Sequence, residues 1–256
     1  PIEKIIKKLK KEENPMNTEI ETQNILGGVH HVTAITSSAQ KNYDFFTNIL
    51  GLRLAKLTVN QDDYETYHLY FTGEDGKSPN MTFFDFKDIP KGMHGANNIE
   101  RASFRVPSDA SLTYWTERFE KAHVKHGEIN VKFGKKTLEF EDFDGQKYQL
   151  ISDQDNTGDA ALDRSWLLSN VAPEHGIIGM GPVFVKVTDT YNLRIILETV
   201  FGFRYAGQEN NLHLFEVANG GNGAALIIEE AQENERYAYQ GYGTIHHLAL
   251  GTTNPE

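Results

Sequence analysis

The 256-residue sequence contains no cysteine. That excludes disulfides, thiolate-ligated zinc, iron–sulfur clusters and thiol nucleophiles together, and it suits a reducing, cytoplasmic compartment. No apolar run approaches the ~20 residues that a membrane-crossing helix needs. No stretch has the order of a secretory signal either. Positive charge is scarce: 25 Lys and Arg face 36 Asp and Glu, a net charge of −11, and no dense basic patch appears in the folded part. Nucleic acid and membrane partners are therefore not expected. What remains is ordinary globular material, 39% hydrophobic and 24% charged, in a length that fits one or two domains.

Residues 1–27 read as an N-terminal extension. Ile2, Ile5, Ile6 and Leu9 fall at helical spacing among Lys4, Lys7, Lys8, Lys10 and Lys11. Two readings stand for this stretch: a basic amphipathic helix lying on a surface, or residues 1–15 as appended sequence ahead of a natural start at Met16.

The organising feature is a strand that occurs twice, as Gly28-Val-His-His-Val-Thr-Ala-Ile35 and as Gly243-Thr-Ile-His-His-Leu-Ala-Leu250. Strand side chains alternate between faces, so His31 shares a face with Thr33, and His30 lies with Val32 and Ala34. The more apolar face should rest on helices. The second His of each pair then looks into a cavity. Each strand opens a unit that recurs. After the first come a helix with capping-box spacing at Ser37 and Gln40 and an apolar stripe of Tyr43, Phe46, Ile49 and Leu50. Three strand-like runs follow, over 52–59, 64–72 and 81–86.

The same β-α-β-β-β order reappears twice. Asn48-Ile-Leu-Gly-Leu-Arg-Leu-Ala55 even matches Thr199-Val-Phe-Gly-Phe-Arg-Tyr-Ala206. The expected fold is α+β: βαβββ modules forming half-barrel sheets with helices outside. Module 1 spans 28–90, module 2 spans 98–153, a linker covers 154–180, and module 3 spans 181–230. Residues 243–256 are the first strand of a module 4 that is expected to be truncated.

Aligned on their apolar positions, the four first strands place His31, Arg101, Pro182 and His247 at the cavity-facing position. Arginine offers no lone pair and proline no side-chain donor, so only modules 1 and 4 supply imidazole. A shared ion then requires modules 1 and 4 to pair, and modules 2 and 3 likewise. Two imidazoles fall short of most metal sites. The third ligand, a carboxylate from a module's last strand, is expected beyond residue 256, with Asp85 a poor substitute. His68 and His213 hold equivalent places in modules 1 and 3, which favours a shared structural role. His175 is expected to shape the linker. Tyr237, Tyr239 and Tyr242 read either as cavity lining or as an aromatic interface.

The βαβββ repeats, the Asp142-Phe-Asp-Gly-Gln-Lys-Tyr-Gln-Leu150 run and the His-His strands resemble the vicinal oxygen chelate superfamily, which includes glyoxalase I, extradiol dioxygenases and antibiotic-resistance proteins. Within it, Tyr67-His-Leu-Tyr-Phe71 and Pro173-Glu174-His175 are most similar to the hydroquinone ring-cleaving dioxygenases. The resemblance implies Fe(II), with Mn, Zn or Ni as alternatives, held by His31 and His247 plus a carboxylate. It also implies supporting catalytic roles for His30, His246 and Thr33. The position that is often a metal-binding Glu in that superfamily is Gln149 here, which disfavours a metal in module 2. The implied reaction takes a small aromatic diol and O2, and homo-oligomer formation stays open. Two rivals remain: a glyoxalase-like metal-dependent isomerase, lyase or transferase, and a non-catalytic small-molecule-binding module.

Overall fold

The computed structural model describes residues 26–59, 66–73, 80–158 and 165–252. The Ile/Lys stretch near the N-terminus lies outside the described residues, as do the turn at 61–63 and most of that at 73–79.

The chain opens with β1 (Leu26–Ile35) and α1 (Ala39–Asp44), which runs on as a π-helical segment, Phe45–Ile49. Next come β2 (Arg53–Val59), β3 (Tyr67–Thr72) and β4 (Asn80–Asp85). The second unit is β5 (Asn98–Val106), α2 (Asp109–Lys121), β6 (His126–Lys132), β7 (Lys135–Glu141) and β8 (Lys147–Ser152). A short β9 (Gly179–Met180) precedes β10 (Val183–Val187), α3 (Thr190–Thr199), β11 (Arg204–Glu209), β12 (Leu212–Glu216) and β13 (Ala225–Glu230). The last element is β14 (Thr244–Thr252).

Ser38, rather than Ser37, caps α1: its hydroxyl accepts from the Lys41 amide. The Ser37 hydroxyl is already engaged elsewhere, on Asp144. The π turn after α1 moves the buried stripe by one residue. Phe45, Phe46 and Leu50 go inside, while Tyr43 is exposed.

Two sheets result. One has the order β14-β1-β4-β3-β2, the other β11-β12-β13-β10-β5-β8-β7-β6 with β9 on β5. Both share a plan. The first strand of a unit lies parallel to its own last strand, as in β1–β4, β5–β8 and β10–β13. It lies antiparallel to the first strand of the paired unit, as in β1–β14 and β5–β10. The pairing of the outer units therefore sets residues 31 and 247 on adjacent strands.

One face of each sheet joins a shared core. Val32, Ala34, Leu69, Phe71, Met81 and Phe83 of the first sheet join Ala102, Phe104, Leu138, Phe140, Tyr148 and Leu150 of the second. Phe46 links them, with its ring centroid 4.8 Å from Phe71 and Phe83, 6.3 Å from Phe104 and 6.0 Å from Tyr148. Losing such a ring costs about 3–5 kcal/mol.

A second tie runs through the turn before β8. Asp142 Oδ1 accepts the amides of Asp144 and Gln146, which closes the turn and turns Asp144 outward. Asp144 then accepts from Thr36 Oγ1 and the Ser37 amide, both at 2.9 Å, and from Ser37 Oγ. The turn of one sheet thereby holds the end of β1 in the other.

Candidate metal centre

The β1–β14 pairing is interrupted at both histidine pairs. Val29 faces Leu250 and His31 faces Ala249, which leaves His30 as an extra residue. Thr33 faces His247 and Ala34 faces Ile245, which leaves His246 as the extra one. A bulge breaks the alternation of faces. This corrects the expectation that His30 lies with Val32 on the helix side. His30 and His246 instead sit on the exposed side, and each reaches its neighbour: His30 Nδ1 lies 2.8 Å from His31 Nδ1, and His246 Nδ1 lies 2.9 Å from His247 Nδ1.

The inner pair meets across the two strands. His31 Nε2 and His247 Nε2 are 3.2 Å apart, though 216 residues separate them in the chain. Thr33 Oγ1 is 2.9 Å from His247 Nε2. Thr33 and His31 share a face of β1 as expected, and Thr33 is fully buried. Burial first, then His247 and His30, push the His31 pKa down to about 4. Burial and His246 lower His247, and burial lowers His246. These three rings are therefore neutral at pH 7, with lone pairs to offer.

His68 departs from the expectation of a role shared with His213. His213 Nε2 contacts the Glu230 carboxylate at 3.0 Å. His68 Nε2 instead lies 3.1 Å from Thr82 Oγ1, which is 2.7 Å from Thr33 Oγ1. Burial, then His31, His247 and Lys56, bring the His68 pKa to about 4. The sequence carried a signal for this. His68 and Tyr70 alternate onto one face of β3, and the hairpin register sets Tyr70 opposite Thr82. Phe84 completes an apolar wall, its ring 4.3 Å from His68 and 5.5 Å from His246. Asp85 points to the other face, where its carboxylate accepts the Ala39 amide at 2.8 Å. Tyr237 and Tyr239 are largely exposed, in a segment that bridges to residues 91–96.

The second sheet holds different chemistry at the matching positions. Arg101 Nη1 donates to Glu139 at 2.7 Å, and Lys132 Nζ contacts both Glu139 and Gln149. Gln149 is fully buried within this network.

The model of the Glyoxalase/Bleomycin resistance protein/Dioxygenase superfamily matches residues 28–150. A protein of Bacillus subtilis (strain 168) named "Putative ring-cleaving dioxygenase MhqA" is 33% identical over 238 residues, 90% of this chain and 74% of that one. The chain belongs to this superfamily. The "Chlorohydroquinone/hydroquinone 1,2-dioxygenase" of Sphingobium indicum is 29% identical over 229 residues, 87% of this chain and 70% of its own. The crystal structure of a Bacillus subtilis dioxygenase-type protein superposes with a TM-score of 0.79 at 29% identity, covering 89% of this chain and 70% of that one. Membership implies a divalent metal.

The donors present fit such an ion. Metal–imidazole bonds are about 2.0–2.1 Å, so two nitrogens bound side by side to one ion stand about 3–3.4 Å apart, and His31 and His247 are at 3.2 Å. Among the described residues, no group of three or more His, Cys, Asp or Glu converges on one point.

Proposed function

We propose that the protein is an Fe(II)-dependent ring-cleaving dioxygenase acting on hydroquinone-type diols, with His31 and His247 as metal ligands. The observation that carries this reading is the pair of neutral imidazoles, Nε2 to Nε2 at 3.2 Å, contributed by the first strands of the two outer units. It gains support from relatives named as ring-cleaving and hydroquinone dioxygenases. When bound, Fe(II) would hold diol and O2 side by side and let charge pass between them.

The protein's own groups do the rest. His30 and His246 hold the outer nitrogens of the two ligands, so that each Nε2 faces inward. Thr33 sets a hydroxyl beside His247 Nε2, and with an ion on that nitrogen the hydroxyl would be released to bond a substrate oxygen. His246 is on the exposed side, and with its Nδ1 engaged by His247 it carries its hydrogen on Nε2, where it can donate to a substrate oxygen. Phe84 offers an aromatic face to the ring and keeps water from that side. Among the described residues no helix is long and apolar enough to cross a membrane.

The test is anaerobic reconstitution with Fe(II), followed by O2 uptake on hydroquinones and catechols. His31→Ala and His247→Ala should each abolish uptake. Wild-type iron content and uptake in both variants would defeat the assignment. Zinc or nickel dependence without O2 uptake would favour an isomerase of the same fold.

A further inference from the structure

His247 sits at one end of a continuous line of hydrogen bonds that leaves the candidate centre. Thr33 Oγ1 is 2.9 Å from His247 Nε2, and Thr82 Oγ1 is 2.7 Å from Thr33 Oγ1. His68 Nε2 is 3.1 Å from Thr82 Oγ1, and the Tyr70 hydroxyl is 2.9 Å from His68 Nδ1. The sheet fixes these neighbours: Thr33 lies beside Thr82 on the parallel strand, and Tyr70 lies opposite Thr82. Both threonines are buried, so water does not compete for their hydroxyls.

Each of the four bonds uses one hydrogen. A hydroxyl carries one, and so does a neutral imidazole, so a direction set at one end propagates to the other. The phenol sets it. Its oxygen lone pair is delocalised into the ring, which makes it a better donor than acceptor toward an imidazole nitrogen. Tyr70 therefore donates to His68 Nδ1, and His68, neutral at pH 7, keeps its hydrogen on Nε2 and donates it to Thr82. Thr82 donates to Thr33, and Thr33 to His247 Nε2. His247 must then carry its own hydrogen on Nδ1, where His246 Nδ1 stands ready to accept it at 2.9 Å. That tautomer is the one a cation at Nε2 requires.

We propose that Tyr70 and His68 are positioning residues for the candidate metal centre, acting through Thr82 and Thr33 to hold His247 in the tautomer that presents a lone pair and not a hydrogen at Nε2, where a cation can take the place of the Thr33 hydroxyl. The role rests on His247 as a ligand, as proposed above, and neither residue touches the ion.

The test reads ring nitrogens by ¹⁵N–¹H correlation in the metal-free protein at pH 7, beside a Zn(II) titration of the same samples. The wild type should show His247 protonated on Nδ1. Thr82→Val interrupts the line with little change of shape, and Tyr70→Phe removes the initiating donor but keeps the ring that packs 4.1 Å from His68. Both variants should populate the second His247 tautomer and weaken Zn(II) binding about tenfold, and Thr82→Ser should restore both readouts. A wild-type His247 protonated on Nε2 would overturn the proposal. So would variants that match the wild type in tautomer and affinity. The nitrogen spectra need no turnover. A tautomer shift in a protein that consumes no O2 on diols sinks the proposed reaction and leaves the positioning role standing, and the opposite pair of results does the reverse.

Discussion

Replacing Asp144 with alanine should loosen the tie between the two sheets at the end of the strand that carries His30, His31 and Thr33. The carboxylate is only 5% exposed and accepts three hydrogen bonds, one from Thr36 Oγ1 and two from Ser37. Hydrogen bonds to a charged group contribute about 1.5–3 kcal/mol each when buried. The Thr36 hydroxyl is buried and loses that amount in full, whereas Ser37 is exposed and water replaces much of its share. The variant also removes a repulsion. Burial, and then the Asp144 charge, push the Asp142 carboxyl up to about 7. Together these give a net loss of about 2–4 kcal/mol, or about 5–15 °C in the melting temperature of a protein this size. Denaturant unfolding followed by tryptophan fluorescence measures it, since Trp115 is fully buried. Carboxyl ¹³C titration should show Asp142 ionising at lower pH than in the wild type. A midpoint within about 0.5 kcal/mol of the wild type, or an unmoved Asp142, would refute this reasoning.

Three further outcomes are expected. His31→Ala and His247→Ala should each weaken divalent-metal binding by about 10²–10³-fold in calorimetry, because four-ligand zinc sites supply about 10–16 kcal/mol and each ligand about a quarter of it. Gly243→Ala should cost at least about 2 kcal/mol of unfolding free energy, since Gly243 has φ +81° and a Cβ there would lie 2.6 Å from the Asp144 carbonyl oxygen. The pH profile of stability should have two opposed limbs. His31 and His68, lowered to about 4 mainly by burial, contribute stability that is complete above about pH 6.5 and lost as the pH falls toward 4. Asp142, raised to about 7, contributes stability that is present at low pH and lost as the pH rises through 7. Asp142→Asn should leave the histidine limb alone, so that its denaturation midpoint rises steadily from about pH 4 to about 6.5.

Much of the architecture was legible because it repeats. The Gly28–Ile35 and Gly243–Leu250 strands share residue types at matched offsets, and the alternation of side chains put Val32 and Ala34 in the core beside Ala102 and Phe104. The meeting of residues 31 and 247 followed from asking which first strands could offer lone pairs. What failed was local. A bulge is a feature of two paired backbones, so no pattern within β1 alone reveals that His30 leaves the Val32 face. His68 was set aside because its likeness to His213 outweighed the signal of Tyr70 two residues on, and its other neighbour, Thr82, reaches it only through strand pairing. Ser37 lost the helix cap to Ser38 for a similar reason: its partner, Asp144, lies 107 residues away.

X-ray absorption at the metal edge, on protein loaded with Fe(II) or Co(II), tests the shared-ion assignment most directly. The wild type should show scattering from two imidazoles at about 2.0–2.1 Å, and His31→Ala and His247→Ala should each show one. A spectrum without imidazole scattering, or one that neither substitution alters, would contradict it.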